Sequence, residues 1–286
     1  MAGSYGVSSG PSTHFEASSE VPARVNVLGS LISCTSIADL ADLIIRRATE
    51  GRRLTVAALA LHGITIAYWD ARYRSRLSSF DVLTPDGAPV AVAARWLHRG
   101  RRVERIPGPD LSAEVLRLAA ASGQSVFLFG STQRTLEQLR YALAREVPDL
   151  EIAGMRPSRF RRTTPAEEEE LRQEIRDSGA RILLVGLGCP RQEVWVHENA
   201  PALDVPVLAV GAALDFLAGT VPRAPEWMRR SGLEWAFRIR MEPRRLLFRY
   251  LATGPRFAIG CVRQMVVGPP SSDPLGPEQI GVERFG

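Results

Sequence analysis

Three short polar segments in this 286-residue chain combine groups that could do chemistry, and each follows an apolar run. The first is Pro85-Asp86-Gly87, after Asp81–Leu83. Pro-Asp-Gly is a good turn sequence, and a plain turn is one reading. The other is a carboxylate at a strand end, facing a ligand crevice and able to act as a general base. The second is Gly188-Cys189-Pro190-Arg191-Gln192-Glu193, after Ile182–Gly188. Proline at a helix start is ordinary capping. A helix N-terminus carrying Arg191 and Gln192 also suits a phosphate or a sugar, with Glu193 beside them. The third is Gly130-Ser131-Thr132, after Ser125–Gly130.

Several familiar signatures fail. Gly186-Leu187-Gly188 begins like a dinucleotide fingerprint, but Arg191 occupies the third glycine position. His197-Glu198 starts like a zinc-protease helix, but Pro201 stands where the second histidine belongs. There is no Asp-x-Asp pair to clamp a metal on a nucleotide diphosphate, no nucleophile-elbow serine and no phosphate-loop lysine. Cys34, Cys189 and Cys261 are too few and too scattered for a disulfide scaffold or a zinc ribbon. No metal or cofactor is expected.

The elements that would position these segments alternate. Val25–Ile32, Leu54–Leu61, Glu151–Ala153 and Val207–Gly211 join the strands above. Ile37–Thr49, Leu111–Ser122, a run ending near Glu146 and Thr164–Ser178 read as helices, the last capped by Thr164. Strands separated by such helices imply right-handed crossovers. The expected fold class is α/β: a Rossmann-like, mostly parallel sheet with helices on both faces. Ligands bind such sheets at the carboxyl ends of strands, where all three polar segments lie.

The net charge is +5, and with no lysine in the sequence its permanent positive charge is all arginine. That balance admits nucleic acid, an anionic membrane face or a phosphorylated substrate. Between Arg223 and Arg263 the chain holds ten arginines, interleaved with Trp227, Trp235, Phe237, Phe248 and Tyr250, against three acids. This stretch reads as a separate basic helical appendage: a solvated face, or a helix lying on anionic lipid. No nucleic-acid motif accompanies the charge, and no nucleic-acid partner is expected. The expected division is a disordered 1–24, a core over 25–222, the appendage over 223–267 and a disordered tail over 268–286. No apolar run of spanning length occurs, and the first twenty residues do not read as a signal peptide, so the expected compartment is the cytoplasm.

In order, PDG at 85–87, RIPGPDL at 105–111, VFLFG at 126–130, VGLGCPRQE at 185–193, VGAALDFLAGTVPRAPEW at 210–227 and LEW with EPRRLLFRY at 233–250 resemble the WecG/TagA/CpsF family of bacterial glycosyltransferases. The resemblance runs from about Val25 to Tyr250. It implies transfer of a sugar, N-acetylmannosamine or a relative, from a UDP-sugar to a polyprenyl-diphosphate-linked sugar. The reaction would invert the anomeric centre without a metal, in teichoic acid or exopolysaccharide synthesis. The enzyme would be peripheral at the inner membrane face, and homo-oligomers are open to it.

By the same resemblance Asp86 is the base, Arg105 an active-site arginine and Gln192 a contact to sugar or acceptor. Arg191 and Glu193 beside it are further substrate candidates, as are Gly130 and Ser131 from their place at a polar strand end, and Arg223, Arg238, Arg244 and Arg245 of the appendage are candidates to meet phosphate or membrane. One departure stands out: the family's Thr-x-Asn on the strand before PDG falls here on Ala58 and Ala60. His62 follows shortly after. It either replaces a lost hydrogen bond in the donor pocket or is a satisfied core histidine. Two other functions remain open on the residues alone: a nucleotide-sugar oxidoreductase or epimerase, and a non-catalytic membrane-associated assembly protein.

Overall fold

The computed structural model describes residues 21–161 and 163–275; the side chains of Arg230, Arg245 and Arg249 are also outside the description. The expected disordered N-terminus, apart from 21–24, and the last part of the expected tail fall beyond it. The strands are β1 (Arg24–Val27), β2 (Ser30–Ser33), β3 (Leu54–Leu59), β4 (Val82–Pro85), β5 (Val126–Gly130), β6 (Ile152–Arg156), β7 (Ile182–Gly186) and β8 (Pro206–Ala209). The helices are α1 (Ile37–Thr49), α2 (Leu61–Trp69), α3 (Ala71–Ser78), α4 (Ala88–Leu97), α5 (Gly108–Ala121), α6 (Gln133–Glu146), α7 (Pro165–Asp177), α8 (Arg191–Asn199), α9 (Ala213–Leu217), α10 (Glu226–Arg230), α11 (Glu234–Met241) and α12 (Pro243–Val267).

The strands form one eight-stranded sheet in the order β1-β2-β4-β3-β8-β7-β5-β6. Only β1 and β2 pair antiparallel; every other neighbour is parallel. The central strands β3, β4, β5 and β8 are buried along their whole length, as a sheet covered on both faces requires. One apolar layer gathers α2, α3, α4, α7, α8 and α12; the other gathers α1, α5, α6 and α9. The expected α/β class and mostly parallel sheet are observed.

Local chemistry explains the helix starts. Ser36 accepts the Asp39 N–H at the head of α1, and Thr164 with Glu167 forms a reciprocal capping box on α7. The expected single strand Val25–Ile32 is instead the β1–β2 hairpin. It turns at Leu28 and Gly29, both at positive φ (53° and 85°). Leu54–Leu61 ends as a strand at Leu59, and Leu61 already opens α2.

The arginine-rich stretch is helical, as expected, but it packs on the rest rather than standing apart. Phe257 and Cys261 of α12 enter the core, and Leu246 is fully buried. Gln264 donates to Asn26 O (2.7 Å) and accepts from Leu28 N (2.7 Å). Beyond α12, Pro270 O accepts from Asn26 Nδ2, and Leu275 N donates to Ser75 Oγ.

Candidate functional site

Every parallel strand ends on the same edge of the sheet, and α2, α4, α6 and α8 start from that edge. Their N-termini bring partial positive charge to it. Asp86 sits there, one residue past β4. Its own N–H donates to Leu59 O of the neighbouring β3 (3.1 Å), which fixes its backbone. The residue is half-buried, and its carboxyl Oδ1 accepts the Gly108 N–H at 2.9 Å. Burial pushes the Asp86 pKa above the ordinary carboxylate range. The Gly108 N–H and the charges of Arg238 and Arg105 counter that rise, while Glu234 adds to it.

Gly108 opens α5, and a Cβ there would lie 2.4 Å from Val210 O, so only glycine lets the two backbones approach. The next residue of that second backbone, Gly211, donates its N–H to Gln192 Oε1 (2.9 Å). The same oxygen accepts from Gly188 N (3.2 Å). Asp86, the α5 start, the loop after β8 and the loop after β7 are thus one connected set. Gln192 is buried in it. Its Nε2 donates to Glu193 Oε1 (2.8 Å), so its amide joins the loops to each other.

Glu193 is fully buried, and Tyr73 Oη and Cys189 Sγ, 3.6 Å apart, stand beside its carboxyl. Burial raises its pKa; hydrogen bonds from Gln192, Tyr73 and Cys189 oppose the rise. The folded state therefore holds this proton more tightly than the unfolded chain does. The stability it contributes is full below the unfolded carboxyl pKa of about 4.3 and is lost as pH rises through the folded value. Glu193→Gln keeps an acceptor for Gln192 and removes that loss. Its Tm, followed by circular dichroism, should exceed the native one at pH 8, with the difference closing by about pH 4. A difference that persists in acid would give Glu193 an ordinary pKa. Glu193→Leu should instead lose about 1–3 kcal/mol, because it strands the Gln192 amide.

Arg105 ties this edge to the arginine-rich helices. Its Nε donates to Asp86 O (3.0 Å), its Nη1 to Arg229 O (2.8 Å), and its Nη2 pairs with Glu234 of α11. A second tie joins Arg223 to Asp110 in the first turn of α5 (2.5 Å), with Arg229 3.6 Å from the same carboxylate. Arg238 is half-buried, its guanidinium 5.4 Å from the Phe216 ring centre and near enough to Asp86 to lower its pKa.

The other expected residues lie further out. His62 is half-buried in the first turn of α2; a Cβ on its neighbour Gly63 would lie 3.2 Å from Cys189 Sγ. Gly130, at φ 124°, leaves no room for a Cβ against Gly186 O (2.4 Å). Ser131 is buried, and its hydroxyl donates to Asp215 Oδ1 (2.6 Å). Arg191 and Arg244 are exposed, and the Arg245 side chain is outside the described residues. Ala58 pairs with Thr84 across β3 and β4, and Ala60 precedes α2, so both departures sit beside the edge.

Sequence reading singled out neither Glu234 nor Asp110. Glu234 had a signal, being one of three acids among ten arginines. Among the described residues no group of three or more His, Cys, Asp or Glu is arranged to hold a metal ion.

Two comparisons bear on this site. The model of the Glycosyl transferase WecG/TagA/CpsF family matches residues 25–269. The N-acetylglucosaminyldiphosphoundecaprenol N-acetyl-beta-D-mannosaminyltransferase of Bacillus subtilis (strain 168) is 28% identical over 196 residues, covering 68% of this chain and 73% of the relative.

Proposed function

The chain belongs to the WecG/TagA/CpsF family of glycosyl transferases, and from that premise we propose an inverting, metal-independent transfer of an N-acetylmannosamine-like sugar from a UDP-sugar to a polyprenyl-diphosphate-linked sugar. A glycosyltransferase leaves no place for the oxidoreductase, epimerase or assembly-protein readings. The relative's name gives the class of acceptor and the sugar moved. The pathway is cell-surface polymer synthesis, of teichoic acid or exopolysaccharide type.

The observation that carries the reading is Asp86. It is a carboxyl at the strand-end edge, its Oδ1 held by the Gly108 N–H, with its pKa raised toward the range useful to a base. In the proposed step Asp86 takes the proton of the acceptor hydroxyl. The freed oxygen bonds to the anomeric carbon from the face opposite UDP. The old carbon–oxygen bond breaks, and its electron pair leaves with the diphosphate.

Negative charge then grows on UDP. Arg238 and the N-termini of α4 and α8 are the groups proposed to meet it, with Arg105 holding the surrounding loops. Arg191, exposed at the start of α8, and His62 are proposed as outer contacts. The 223–267 segment is proposed as a basic appendage that closes this edge and rests on the inner membrane face. No helix of the described residues is long and apolar enough to cross a membrane.

A donor screen by UDP release, with a short-chain lipid-diphosphate sugar as acceptor, tests the proposal. Turnover with a UDP-N-acetylhexosamine, unchanged by excess EDTA, is expected. Turnover abolished by EDTA and restored by a divalent ion would overturn the metal-independent step.

A further inference from the structure

Three helices of this fold, α3, α4 and α12, carry arginine without a single acid, and two of them meet at one end. One is α12; the other is α4 with the loop that follows it, residues 88–103. They converge: Asn26 O accepts both from Gln264 near the end of α12 and from His98 at the end of α4, each at 2.7 Å. Gly232, in the α10–α11 turn that comes before α12, lies against Ala88 at the start of α4. The C-terminal ends of the two helices therefore meet at the β1–β2 hairpin, and α4 and α12 touch each other.

Their outward faces match. On α12, Phe248, Leu251, Ile259, Val262 and Val266 are each more than half exposed, and their spacing puts them on one stripe. Arg256 and Arg263, seven apart, line its flank and are exposed. On α4, Val92 and Trp96 are 55% and 46% exposed, one turn apart. Arg95, Arg99, Arg101 and Arg102 surround them, all exposed. An apolar strip flanked by guanidinium groups complements one kind of partner best: a leaflet of anionic lipid, with the apolar side chains in the acyl boundary and the arginines at the headgroups. At 25 residues α12 is long enough to span, but arginines interrupt it, and an interrupted amphipathic helix suits the plane of a leaflet rather than its normal.

We infer that the membrane-binding surface of this protein is not confined to the arginine-rich appendage, and that α4 with the 98–102 loop of the catalytic core forms its second half. The inference rests on the reading of a peripheral enzyme. It adds that the core itself fixes the angle at which the cleft meets the lipid, because α4 begins two residues after Asp86.

Co-sedimentation of the full chain with 3:1 phosphatidylcholine–phosphatidylglycerol vesicles tests it. Each arginine near such a surface contributes about 1 kcal/mol, or roughly 5-fold in partition. The variant Arg99→Glu/Arg101→Glu/Arg102→Glu should therefore bind at least ~10-fold more weakly, while its turnover of a detergent-soluble short-chain acceptor stays native and shows that it is folded. Trp96→Ser should weaken binding with no change in net charge. Phe248→Ser/Ile259→Ser/Val266→Ser reports on the appendage half. If the arginine variant binds like the native protein while the α12 variant does not, the second half is wrong and the appendage reading stands. If the native protein ignores these vesicles, or the loss is the same on pure phosphatidylcholine, the lipid surface itself is wrong. Retention of an acidic protein under those conditions would replace it.

Discussion

Asp86→Asn lowers kcat by about 100-fold or more and leaves UDP binding within a few-fold of native. The amide keeps an oxygen to accept the Gly108 N–H, so the loop stays in place and only proton acceptance is lost. The pH profile separates this from misfolding. The native enzyme needs the carboxylate, so kcat falls as pH drops through the Asp86 pKa. Burial has moved that pKa upward, so the acid limb should lie above the free-aspartate value of about 3.9. The residual activity of the Asn variant should lack this limb. A variant that retained both full activity and the limb would remove Asp86 from the chemistry. The measurements are initial rates of UDP release from pH 4 to 9, with UDP affinity by calorimetry.

How much of this site could be read from sequence depends on the range of each interaction. The buried strands β5, β7 and β8 are legible because burial on both faces makes the run continuously apolar. The segment 25–32 is only mostly apolar, and it reverses at Leu28-Gly29, where a leucine at positive φ leaves no local mark. The α2 helix is hidden for a related reason. Its sequence, LHGITIAYW, is apolar on nearly every side because it lies between the sheet layer and α12, so no 3.6-residue pattern remains.

The place of Asp86 after a strand was legible, but a plain Pro-Asp-Gly turn explains the same three residues, so its candidacy as a base came from the family resemblance. Gln192 was legible as a polar residue at a strand end, but its role in joining two loops was not, because one of the N–H groups it accepts lies 19 residues ahead. Glu234 meets Arg105 across 129 residues, and nothing local can announce such a pair. Short-range chemistry fixes where a carboxyl stands. The contacts that aim it come from chain closure.

Replacing Arg105 is the change that tests this aiming. Three of its donor nitrogens go to three different elements: the Asp86 carbonyl, the Arg229 carbonyl and the Glu234 carboxylate. Arg105→Ala should therefore cost about 2 kcal/mol of stability, given that the pair is mostly buried, and on the order of 100-fold in kcat/KM. Arg105→Lys decides what the residue is for. An ammonium keeps the charge but cannot send directed N–H groups to three acceptors at once. If Arg105 acts by tying the edge to α10 and α11, Lys is nearly as poor as Ala. Glu234→Ala then reproduces part of the loss, and the double variant costs less than the two single variants added together. If Arg105 instead serves the departing diphosphate directly, Lys restores most of kcat. Glu234→Ala, by freeing the guanidinium, then tightens UDP binding rather than slowing turnover. The tie is the arrangement present in this conformation, so the first set of results is expected, and a fast Arg105→Lys enzyme would overturn it.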